Sequence, residues 1–81
     1  MRPEDILQLL RARPFRAFRM SLSDGKEFDV RHPELAIVGR STVVIGLPGP
    51  LGPDGPVERL VTCALMHIVR TEPVDGAPGA A

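Results

Sequence analysis

The sequence predicts a small, mainly β domain of the α+β class: a short amino-terminal helix, then about five short antiparallel strands in a strongly bent sheet or small barrel. Three observations lead there. Apolar residues at 6, 7, 9 and 10 share one helical stripe, and the period then switches to two over 18–30. Further along, Gly and Pro separate short, nearly continuous apolar runs. A chain of 81 residues makes one domain and hides only about 60% of its unfolded surface. We expect that domain to span 1–74, with a disordered tail of small residues over 75–81.

Helix 3–12 is justified at both ends. Pro3 suits a first turn, Glu4 and Asp5 meet the positive end of the helix dipole, and Arg11 meets the negative end. Pro14 biases Arg13 away from helical torsions, which stops the helix near Ala12. A helix this short does not persist alone in water, so its Ile/Leu stripe must dock on this chain or on another copy.

Hairpin 15–31 follows from alternation. Phe18, Met20 and Leu22 alternate with Arg19 and Ser21, and Phe28 and Val30 alternate with Glu27, Asp29 and Arg31. Opposed residues in an antiparallel pair share a face, which decides the register. A two-residue loop at Asp24-Gly25 would set Met20 against Asp29 and mix polar with apolar side chains on both faces. A three-residue loop, 23–25, sets Met20 against Phe28 and Phe18 against Val30, with Arg19 and Ser21 across from Asp29 and Glu27. The expected turn is type I, with Asp24 as turn former and Gly25 left-handed in a G1 bulge.

Pro33 has no N–H for a ladder, so 32–34 breaks the sheet and bends the chain. A second hairpin, 35–47, turns at 39–41 and is almost continuously apolar, which predicts strands covered on both faces by the helix or another subunit. Gly and Pro dominate 48–57, an extended mobile loop. Strands are expected at 59–63 and 68–72, the second ended by Pro73. Residues 64–67 either continue the first of these or form one tight turn, and a longer helical reading of 60–69 would place helices on one face of the sheet.

The stretch from Arg13 to Glu34 holds Pro14-Phe15-Arg16-Ala17-Phe18, the Asp24-Gly25 turn and the His32-Pro33 break. It resembles a group of small bacterial proteins in which a short amphipathic helix leads into a Pro-Phe-x-x-Phe strand, an Asp-Gly turn and a His-Pro break. The likeness continues through 42–47 and 60–72; it implies the fold and supplies no catalytic residue. By topology alone the chain is also similar to SH3-like and Sm-like small barrels, without the signature residues of the Sm RNA-binding loops. Fold alone does not assign function.

Ten basic residues balance ten acidic ones, so no net field draws the chain toward nucleic acid or an anionic membrane. The single cysteine permits no internal disulfide. The first residues are acidic with no apolar leader core, and the longest apolar-rich run, 60–69, falls far short of a bilayer span. A cytoplasmic protein with no membrane partner is the expectation.

Candidate chemistry is sparse. Arg11, Arg13, Arg16 and Arg19 lie in an acid-free stretch with Phe15 and Phe18, the pattern of a nucleic-acid contact or of solvated, salt-bridged arginines. Cys63, His67 and His32 are spaced unlike any compact zinc motif, and Cys63 sits among apolar neighbours that make its thiol inert. Asp24, Asp29 and Glu34 read as turn and surface carboxylates rather than as acid-base groups. We therefore expect no catalytic residue, no cofactor and no metal centre. The apolar surplus points instead to a non-enzymatic binding or assembly module, a homo-oligomer joined through a strand edge or the helix stripe, which could also dock a protein partner. The alternative is an Sm-like nucleic-acid binder using Arg13, Arg16, Arg19 and Arg40.

Overall fold

A computed structural model describes residues 1–52 and 55–74 of the chain. Helix α1 (Pro3–Arg11) starts where the Arg2 backbone N–H donates to the Asp5 carboxylate at 3.0 Å, and it ends as Ala12 turns extended, one residue short of the expected span. Ile6 is fully buried, with Leu9 and Leu10 packed on the same core. The stripe is thus used within the chain.

Strands β1 (Phe18–Leu22) and β2 (Glu27–Val30) pair as the alternation predicts, Met20 opposite Phe28 and Phe18 opposite Val30. Gly25 has φ of 91°, its N–H donates to the Leu22 carbonyl at 2.9 Å, and the Leu22 N–H donates to Lys26 at 2.9 Å. The Asp24 carboxylate accepts the Lys26 N–H at 2.9 Å and closes the turn. A 3-10 turn, Pro33–Leu35, then leads into β3 (Ala36–Val38) and β4 (Thr42–Pro48). After β5 (Val57–Ala64), a second 3-10 turn, Leu65–His67, reaches β6 (Ile68–Pro73).

The strands form two antiparallel three-stranded sheets, ordered β2-β1-β6 and β3-β4-β5, that enclose one core built on Ile6, Met20, Val30, Val43 and Ile45. Among the described residues there are six strands where the sequence predicts about five. Pro33 breaks the chain between β2 and β3, so the two serve different sheets.

Several boundaries differ from expectation. Leu35 belongs to the 3-10 turn rather than to a strand, and pairing of Pro48 with Val57 past a register shift narrows the loop to 49–56. Residues 64–67 resolve into the end of β5 and one tight turn, because β4 holds β5 extended throughout; the helical reading of 60–69 is thereby removed. The expected mobility of the Gly/Pro loop falls partly on residues 53 and 54, and the expected disordered tail on 75–81, which lie outside the described residues.

Candidate functional site

The second sheet is covered on one face only. In its ladders Ala36, Ile45 and Val61 share the inner face, while Ile37, Val44 and Thr62 share the outer face, as do Gly46 and Leu60. Ile37 is 68% exposed and Leu60 69% exposed. The apolar continuity of 35–47 predicts cover on both faces; among the described residues the helix contacts β3, and on the outer face Val44 is half-buried while Ile37 and Leu60 stay exposed. A Cβ on Gly46 would stand 3.0 Å from a Val57 methyl and 3.6 Å from a Leu35 methyl, so these two side chains extend the apolar surface over β4.

Hydrogen-bond direction identifies the open edge. The Leu65 N–H donates to Ser41 at 2.9 Å, in step with the Val43–Cys63 and Ile45–Val61 pairs, while the Gly39 N–H donates to Thr42 at 2.7 Å on the opposite side of β4. Bonding alternates along an antiparallel ladder, so Arg59, Val61 and Cys63 bond to β4. Leu60, Thr62 and Ala64 direct their N–H and C=O groups away from it, toward the free side of β5.

The other edges carry protection of the kind that suppresses pairing. On β2 the outward residues Glu27 and Asp29 are charged. Strand β3 has three residues, and β6 carries Arg70 and Glu72 and ends on Pro73, which has no N–H. Among the described edge strands only β5 is both long and, over 60–64, free of charge and proline. Beside this stretch an open cleft of about 410 Å³ separates it from the first hairpin; Val61, Cys63 and Phe28 give it an apolar floor, and Asp24, Lys26 and His67 stand around it.

The sequence-predicted residues are dispersed around this edge. Arg19 is engaged: its Nε donates to Asp29 at 2.7 Å, a second guanidinium nitrogen reaches the other carboxylate oxygen at 3.3 Å, and Arg31 adds a 3.2 Å bond to Asp29. The Arg19 hydrogen bond is the main cause that holds the Asp29 carboxyl below its ordinary value, and the Arg19 guanidinium is raised in return. Arg13, Arg16 and Arg40 are exposed, Arg40 in the turn between β3 and β4. Asp24 and Gly25 build the first turn, Pro33 opens the first 3-10 turn, and exposed Glu34 follows it.

Cys63 is 6% exposed, and burial, with a smaller contribution from Asp24, pushes its thiol above the ordinary value; it stays protonated and is a poor nucleophile. His67 Nδ1 lies 3.2 Å from the Ser23 hydroxyl, and the His67 carbonyl accepts the Ser23 N–H at 2.8 Å, which ties the first turn to the second 3-10 turn. Among the described residues no three His, Cys, Asp or Glu side chains converge as metal ligands, and no helix is long and apolar enough to cross a membrane. No protein-family model, no curated protein and no solved structure matches this chain.

Proposed function

We propose that the chain is a non-enzymatic cytoplasmic assembly module that joins other copies of itself by strand pairing along β5. The observation that carries this reading is the outward-facing main chain of Leu60, Thr62 and Ala64, which lies in the longest edge stretch without charge or proline among the described residues. The exposed Leu60 side chain on the same strand supports it, since a strand added at the β5 edge would pack beside it. The helix stripe does not compete for this role because Ile6 is already buried in the chain's own core.

An arginine-based nucleic-acid interface is the competing reading. The engagement of Arg19 by Asp29 weighs against it, as does the charge balance of the whole chain. The cytoplasmic setting is supported by that balance and by a lone cysteine held in the core.

Proline at position 62 tests the reading. The Thr62 N–H points away from β4, so Thr62→Pro leaves the β4–β5 ladder intact and removes one donor per copy from the interface. Association then weakens by about 1–3 kcal/mol, a factor of about 5 to 150. Multi-angle light scattering over a concentration series reads the change, with circular dichroism to confirm the fold. Wild-type protein that stays monomeric at every concentration, or that associates only with nucleic acid and releases it as salt rises, refutes the proposal.

A further inference from the structure

The protected edges narrow the geometry further than self-association alone. A strand that pairs well with β5 presents a comparable stretch without charge or proline, and among the described edge strands the five residues 60–64 of β5 are the longest such stretch. We infer that β5 pairs antiparallel with β5 of a second copy about a two-fold axis through Thr62, giving one continuous six-stranded sheet and a closed dimer. This rests on the assembly reading above and goes beyond it in fixing symmetry, register and copy number. The two-fold stands normal to the sheet and keeps each face on its own side, so one residue must lie on the axis.

Thr62 is the centre of 60–64, the uncharged part of β5. With the axis there, Thr62 faces Thr62 and Leu60 faces Ala64 of the second copy, so all three outward-facing residues of each strand find a partner. Threonine pairs across strands are themselves favourable. The same register sets Glu58 and Arg59 opposite Met66 and Leu65 of the second copy, in the 3-10 turn beyond the paired segment, so no charge enters the ladder. An axis at Leu60 would instead set Glu58 against Thr62 and Arg59 against Val61, placing charge inside the ladder. Because the interface is isologous it uses up both edges, so growth stops at two copies rather than continuing into a fibre or ring.

Disulfide trapping reads the register. With Cys63→Ala removing the native thiol, Thr62→Cys places two α-carbons about 5.5 Å apart across the axis, within disulfide reach. Leu60→Cys in the same background faces Ala64 and does not link to itself, whereas Leu60→Cys mixed with Ala64→Cys does. The expected result is a covalent dimer from Thr62→Cys alone and from the 60/64 mixture, with light scattering giving twice the monomer mass. A non-covalent dimer in which Leu60→Cys links and Thr62→Cys does not overturns the axis and leaves the assembly reading standing. Species that keep growing with concentration overturn closure, and a monomer at all concentrations overturns both. Should Thr62→Cys fail to fold, the 60/64 mixture decides the register.

Discussion

Gly25 holds the first hairpin in a backbone conformation that glycine adopts without strain, and no atom lies within 4 Å of where its Cβ would stand. The cost of replacing it is therefore backbone strain alone. Gly25→Val is expected to lose about 1–3 kcal/mol in urea denaturation, and Gly25→Asn less, because asparagine tolerates left-handed torsions. Wild-type stability in the valine variant would contradict the turn geometry. Asp29 sets a second expectation. Its carboxyl sits below the ordinary value in the folded chain, so its contribution is complete above pH near 3.8 and disappears as pH falls through the folded-state value. Asp29→Asn should flatten the acid limb of a stability profile in that range; an unchanged limb would show that the Arg19 pair contributes nothing.

The elements divide by how local their causes are. The register of hairpin 15–31 was legible because alternation and an Asp-Gly turn act within a few positions and the arithmetic over Met20 and Phe28 has one solution that keeps the faces apart, although its strands cover only 18–22 and 27–30. The helix was legible too, but its docking was not: whether Ile6 and Leu9 meet this chain or another depends on packing that periodicity cannot encode. That docking predicts that Ile6→Ala, at a fully buried site, costs about 2–5 kcal/mol by thermal or chemical denaturation. A loss below about 1 kcal/mol would mean that the helix is loosely held. In β5 the apolar character of Leu60 and Val61 was visible, while its place at an edge was not. Strand order is set by long-range pairing, and only the structure separates residues that bond to β4 from those that face outward.

Two three-stranded sheets share one core, and among the described residues Ile37 and Leu60 on the outer face of the second sheet are left exposed. The candidate site is a consequence of that exposure, not of a motif, which is why the apolar surplus pointed to a strand edge or the helix stripe without saying which edge. Among the described edges three are short or interrupted by charge or proline, while β5 keeps 60–64 free of both, and the proposed assembly rests on that stretch. Amide hydrogen exchange resolved by residue, at low and high protein concentration, probes this edge. The N–H groups of Val61 and Cys63 should be protected at both concentrations, whereas those of Leu60, Thr62 and Ala64 should exchange freely when dilute and become protected when concentrated. Rapid exchange at 60, 62 and 64 under conditions where light scattering reports a dimer would place the interface elsewhere and contradict the role assigned to β5.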